Sequence, residues 1–249
     1  MTSEKKTGKK GSAIREKVVK TRSPRQKNYV LDLRIHSPAS LGYLGIEGID
    51  TAPAIVRLAK VKGLDVIGVT DFYSGRFIDR VTEAASGSKV TVLPGVSLRC
   101  KLGQCDDVVL VCLFQESYTS ADIEDFLSEL KIPEVKLGDS SYTLPTSIGA
   151  VIEMVERRGG IIIPSRLDKT PHQMKVIPRL VEEFGFRTFD LTHVDSKSFF
   201  KAQWPELSFN LYSFSSASAL AQVGSRNSQV KLPDKTFESI RRVITRAGQ

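Results

Sequence analysis

Seven short apolar runs, alternating with segments of helical periodicity, constrain this chain more than any other feature. The runs cover residues 29–36, 64–72, 89–98, 106–114, 161–164, 187–193 and 207–215; the first reads as a strand buried on one face and 64–72 as a buried strand. Repeated alternation of strand and helix favours a mainly parallel sheet. The intervening segments supply those helices. Asp50 or Thr51 can cap a helix with Pro53 in its first turn, Ile55, Leu58 and Ala59 on one face, and Gly63 at its end. Further helices are expected over 76–85, from Thr119 or Ser120 to about Leu130, around Pro178, and from near Pro233 with Phe237, Ile240 and Ile244 as its core face. Ile148, Val151, Ile152 and Val155 recur at helical spacing before Gly159 and Gly160. A closed barrel and a doubly wound sheet both fit this alternation.

In either architecture, polar groups at the carboxyl ends of strands line the ligand crevice. The stretch 28–40, NYVLDLRIHSPAS, ends an apolar run in Arg34, His36 and the strand-breaking pair Ser37-Pro38. The run at 64–72 ends in Thr70-Asp71. Arg34, His36 and Asp71 are therefore the first candidates for function, and a histidine that merely caps a turn is the structural alternative. The Pro- and Gly-bearing stretch 131–145 reads as an excursion able to cover such a site.

The formal charge of +8 is unevenly placed. Residues 1–28 carry ten Lys and Arg against two Glu, while the remainder holds 26 basic and 26 acidic residues. The excess sits in a segment without an aromatic residue, whose Ile14, Val18 and Val19 cannot offset the entropy of ordering it, so a disordered basic arm is expected there and a single domain over 29–249. Such an arm can recruit nucleic acid or other polyanions, or simply keep the chain soluble. Deleting residues 1–27 is expected to leave the melting temperature unchanged and to remove polyanion affinity that falls steeply with added salt, read by calorimetry and by a salt titration of oligonucleotide binding. The arm lacks the apolar core of a secretory signal, and no stretch approaches the roughly 18 apolar residues of a membrane span, so a cytoplasmic protein without membrane contact is expected. Cys100, Cys105 and Cys112 have neither a second pair nor a nearby histidine, which argues against a zinc knuckle or a disulfide framework.

Several stretches in order resemble the PHP (polymerase and histidinol phosphatase) domain, a family of metal-dependent phosphoesterases. DLRIHSPAS (32–40) resembles its opening DLHxHS, and AKVKGLDVIGVTDF (59–72) its helix and strand ending in TDH. VLPGVSL (92–98) is similar to its strand ending in GxE, IIIPSRL (161–167) to one ending in histidine, FSSASALAQVG (214–224) to its SDAH segment, and KTFESIRRVI (235–244) to its closing helix. The resemblance implies a distorted (β/α)7 TIM-like barrel and, in active members, a divalent metal cluster of zinc or manganese that activates water on a phosphoester.

The departures fall on the positions that would bind metal. Arg34, Phe72, Ser97, Val109, Arg166, Ser216 and Ser218 stand where the resemblance implies ligands, and only His36 and Asp71 keep a ligand type. Arginine cannot deprotonate to coordinate, and its charge repels a cation. A catalytically impaired relative without a cofactor is therefore expected, with Arg34, His36, Asp71, Ser97, Arg166, Ser216 and Ser218 forming a pocket for a phosphorylated or other anionic ligand. Pairing of Arg34 with Asp71 across adjacent strands is the structural alternative for these two residues. His172 and His193, with Asp168, Asp190 or Asp195, are the substitutes through which an active phosphoesterase would survive. A noncatalytic barrel associated with RNA or DNA, as in the related ribonuclease P subunit, is the third expectation.

Overall fold

The computed structural model describes residues 1–2 and 25–244; residues 3–24, most of the basic segment, and 245–249 lie outside the described residues. Eight strands form one sheet: β1 (Lys27–Ile35), β2 (Val66–Val69), β3 (Thr91–Leu102), β4 (Cys105–Leu113), β5 (Ile161–Ser165), β6 (Thr188–Asp190), β7 (Asn210–Tyr212) and β8 (Ser228–Leu232), in the order β7-β6-β5-β4-β3-β2-β1-β8. Six strands run one way, while β4 is antiparallel to both its neighbours and β8 is antiparallel to β1. Beyond β7 the chain returns to β1, where His36 N donates to Ala217 O at 2.8 Å and Ser215 N to Asp32 Oδ1 at 3.0 Å. The sheet is thereby nearly closed into the expected TIM-like barrel.

Helices α1 (Thr51–Val61), α2 (Ile78–Ala85), α3 (Ser120–Glu129) and α4 (Ile148–Arg157) pack outside the sheet, joined by the short α5 (Pro171–Met174), α6 (Ile177–Glu182) and α7 (Lys197–Gln203). Local chemistry sets their ends. The Asp50 side chain accepts from Ala52 N, Thr119 and Asp122 form a capping box, and the Ser147 side chain accepts from Ala150 N. Gly63, at φ 68°, turns the chain out of α1 into β2. Apolar faces of these helices cover outward residues such as Val92, Leu98 and Cys112, while Leu31, Leu33, Val66, Leu93, Val111 and Ile163 fill the barrel. Helix α8 (Phe237–Val243) inserts Phe237, Ile240 and the following Ile244 into that interior and plugs the amino-terminal end. Each such fully buried side chain contributes about 1.5–3 kcal/mol.

Two interior positions carry no side chain because there is no room for one. A Cβ on Gly68 would lie 2.6 Å from Leu33 O, and one on Gly95 2.5 Å from Cys112 O. Each glycine therefore lets its strand lie close against the backbone of its neighbour in the sheet.

The strand count corrects the seven-strand expectation. β8 alternates, with only Val230 and Leu232 buried, and five alternating residues give little periodic signal. Helix α7 also lies outside the expected elements. It buries Phe200 against Phe189, Phe209 and Trp204, a tertiary cluster assembled from three segments. No helix among the described residues is long and apolar enough to cross a membrane.

Candidate functional site

A single irregularity in β1 decides which side chains reach the mouth. Asp32 aligns with Ile67 but Ile35 with Val69, so three steps on β1 oppose two on β2, a one-residue bulge. Below it the odd positions Leu31 and Leu33 face the barrel interior; beyond it the even positions Arg34 and His36 do, and Ile35 joins the outer core. Asp32 accepts from Ser215 N and Gly224 N and ties the closing segment to β1.

Arg34 and His36 line a cavity of about 250 Å³ at the carboxyl ends of the parallel strands, together with Arg166, Ser216 and Ser218. Its walls add residues that the sequence did not single out for the site: Tyr43, Arg99, Asp107, Ser165, Lys169 and Gln173. Arg99 and Asp107 come from β3 and the reversed β4.

Arg34, 5% exposed, is not paired with Asp71. Its Nη1 donates to Ser165 Oγ at 2.5 Å and lies 3.7 Å from Asp190 Oδ2, while Ser165 Oγ donates to that same carboxylate oxygen. β1 and β6 are not neighbours in the sheet, so this pair spans the barrel interior, which a strand-by-strand reading cannot anticipate. Burial pulls the Arg34 guanidinium down to about 10; Asp190 pulls it back up, and the nearby Arg166 and Arg99 charges add to the lowering. Burial pushes Asp190 above the ordinary carboxylate range against the pull of Arg34.

Asp71 and Ser97 do not line the cavity. Asp71 accepts from Ser37 N and Ser40 Oγ at 2.6 Å each and from Ser37 Oγ at 2.5 Å, so its carboxylate anchors the turn after β1. Ser97 Oγ donates to Thr70 O at 2.9 Å behind the wall. His36 stacks on Phe72 with centroids 5.3 Å apart, and its pKa is pushed down to about 3, first by burial and then by the Arg34 charge. It is therefore neutral at physiological pH, and its Nδ1 has no partner. Arg166 and Ser216 both adopt positive φ, 55° and 52°, conformations that non-glycine residues seldom take outside functional or tightly held sites. Arg166 Nη2 donates to Phe214 O and Ser215 O at 3.0 Å, while Ser218 is turned toward Gln222 Oε1. The 131–145 excursion is tied to the rim, with Leu41 N donating to Gly138 O and Gly138 N to Phe72 O, and it contributes Ser140 to the wall.

These donors do not fit a divalent cation. Among the described residues, no three His, Cys, Asp or Glu side chains are grouped so that they could hold one. Of the two retained ligand types, Asp71 is saturated by hydroxyl and amide donors and His36 stands beside a guanidinium. The substitutes do not replace them: His172 and His193 are exposed and neither lines the cavity, and Asp168 accepts from Thr192 N, His193 N and Ser196 Oγ. Asp190 is committed to Arg34, Ser165 and Phe214 N, and Asp195 lies exposed in a one-turn 3-10 helix.

No family model and no curated protein sequence matches the chain. Solved structures do. Endonuclease Q, in complex with duplex DNA carrying an abasic lesion at its active site, is similar over 88% of this chain at 18% identity and a TM-score of 0.60. The chain spans 56% of that protein's length. A candidate metal-dependent phosphoesterase from Bifidobacterium adolescentis is similar over 86% of this chain and 94% of its own, at 12% identity and a TM-score of 0.54. An amidohydrolase from Chromobacterium violaceum, solved with bound sulfate and no metal, is similar over 87% and 97%, at 14% identity and a TM-score of 0.60. At these identities the likeness is one of fold: the chain shares the TIM-like barrel of these hydrolases.

Proposed function

We propose that this chain is a PHP-like barrel that binds a small phosphorylated or otherwise anionic ligand at its mouth, without metal-dependent hydrolysis. The observation that carries this reading is the balance of charge and hydrogen bonding around the cavity. Four cations, Arg34, Arg99, Arg166 and Lys169, line it. Asp190 offsets Arg34 and Asp107 offsets Arg99, whereas Arg166 and Lys169 form no salt bridge among the described residues. Nε of Arg34, Nε of Arg166 and the Tyr43 hydroxyl are buried without a partner. Unpaired buried donors are costly, and a tetrahedral anion would satisfy donors of this kind.

In the proposed role Arg166 and Lys169 hold the anion, Ser216 supplies a hydroxyl, and Arg34 contributes charge from behind. The neutral His36 lacks a carboxylate to orient it as a base, and nothing beside it activates water. The similar C. violaceum barrel, solved with sulfate and no metal, is consistent with a barrel of this shape that accepts an anion. Residues 27–249 then act as one ligand-binding domain, since Lys27 and Asn28 already pair with β8, and the preceding basic residues are an appended polyanion-binding arm.

Arg166→Ala is the direct test, because Arg34 is also a structural cation. Inorganic phosphate and glycerol phosphate are expected to raise the melting temperature of the wild type, and Arg166→Ala to weaken that binding at least tenfold, since each charge-assisted bond is worth about 1.5–3 kcal/mol. Absence of anion-dependent stabilisation would remove the pocket. Stoichiometric bound zinc or manganese, with phosphoester hydrolysis above that of an Asp71→Ala control, would restore the metal-dependent enzyme.

A further inference from the structure

Large apolar side chains left in water gather around the mouth of the cavity. Leu41, Leu44, Ile46, Ile49, Val135 and Val194 are each between 48% and 82% exposed. Among the described residues after Met1, the other exposed large apolar side chains are Val61 and Leu207, at the end of α1 and before β7, on the opposite side of the barrel. Four of the six fall in the loop that joins β1 to α1, LGYLGIEGI over residues 41–49. Nothing packs over its glycines: a Cβ at Gly42, Gly45 or Gly48 would meet no atom within 4 Å. Single exposed apolar residues are ordinary, but a cluster of this size beside a cavity marks a surface that something covers.

The loop is continuous with the cavity wall. Leu41 and Tyr43 line the cavity, Leu41 N donates to Gly138 O and Leu44 N to Ser218 O at 2.8 Å each, and Ser218 is itself a lining residue. Val135 lies three residues before Gly138 in the excursion tied to the same rim. At about 250 Å³ the cavity is smaller than the roughly 300–1,000 Å³ of ordinary small-molecule sites, so it takes a headgroup, and the rest of a larger ligand leaves across the mouth. That part meets aliphatic groups. Phe72 and His36 are buried against each other rather than open to a base, and between Ser40 and Glu47 the only polar side-chain group is the Tyr43 hydroxyl, itself buried. We infer that the ligand is an amphiphile, a phosphate monoester of a hydrocarbon chain, with its headgroup at Arg166 and Lys169 and its chain lying over Leu41 toward Leu44 and Ile46. The inference rests on the anion-binding reading above and adds the part of the ligand outside the cavity. An anionic membrane fits less well, since residues 37–50 include Glu47 and Asp50 and no Lys or Arg to meet lipid headgroups.

The test is calorimetric titration of the full chain with inorganic phosphate and with n-alkyl phosphates from ethyl to octyl, each kept below its micelle concentration. Affinity is expected to rise by about threefold per methylene over the first members of the series and then to level off as the rim is covered. Leu44→Ser with Ile46→Ser should lower the ratio of octyl to ethyl affinity at least tenfold while leaving the binding of inorganic phosphate and the melting temperature unchanged. Val61→Ser with Leu207→Ser, at the other end of the barrel, should leave the whole series unaltered, and Arg166→Ala should weaken every member by the same factor. Phosphate binding with affinity flat from ethyl to octyl would overturn this inference alone; no binding of any member would overturn the anion-binding reading with it. Binding of 1-octanol as tight as that of octyl phosphate would show that chain and anion sites are separate and would also overturn it. A wild type that dimerises and becomes monomeric in Leu44→Ser with Ile46→Ser would overturn it in favour of a second copy of this chain, and binding to phosphatidylcholine vesicles without binding of soluble octyl phosphate would do so in favour of a membrane.

Discussion

Arg34→Ala is expected to destabilise the barrel by about 3–5 kcal/mol, the scale on which removing one partner of a buried ion pair strands the other. For a chain of this size the melting temperature should fall by on the order of 10 °C. The stranded group is Asp190, fully buried and left with Ser165 Oγ and Phe214 N. Arg34→Met with Asp190→Leu should recover most of the loss, because two apolar groups impose no charge on the interior. Recovery confined to Arg34→Lys would show that the charge itself is needed. The loss should also depend on pH. Burial raises Asp190 in the folded chain above its unfolded value, so between those values the folded state holds the extra proton and stability falls as pH rises. Without Arg34 that penalty grows, and the deficit of Arg34→Ala should narrow as pH is lowered from about 7 toward about 4, a trend that urea midpoints would follow.

Asp71→Ala is expected to cost about 3–5 kcal/mol and to loosen one wall of the cavity with it. Hydrogen bonds to a charged acceptor are worth about 1.5–3 kcal/mol each, and this carboxylate takes three from Ser37 and Ser40. Those donors hold the turn that leads into Leu41 and Tyr43, both lining the cavity, so phosphate-dependent stabilisation should weaken in the variant although Asp71 does not reach the cavity. Asp71→Asn keeps an acceptor and should recover part of the stability. A stable Asp71→Ala protein that has lost a divalent ion would instead identify the carboxylate as a metal ligand.

These two residues mark the boundary of what was legible in advance. Arg34 and Asp71 stand at the ends of adjacent strands, and adjacency alone suggests that they pair. The interior of a barrel offers partners from every strand, and Arg34 meets Asp190 across it while Asp71 turns to the loop that follows β1. Ser97 has the right position and the wrong surroundings: a carbonyl at Thr70 claims its hydroxyl. Arg99, Asp107, Lys169 and Gln173 were overlooked because no local pattern separates a polar residue at a pocket from one at the surface.

The periodicity of the sequence was sufficient by itself for most helices, for seven of the eight strands in outline, and for the barrel class, because burial on two faces or along one stripe is a local repeat that neighbours in the chain impose together. The uneven charge was equally plain, since composition needs no geometry. Only the tertiary structure decided how the site is built. An extra residue between Asp32 and Ile35 reverses the inward side of β1, Gly68 and Gly95 let neighbouring strands approach closely, and Arg34 meets Asp190 across the interior. Each depends on contacts between residues distant in sequence, and register, close approach and charge pairing are properties of those contacts rather than of any one segment.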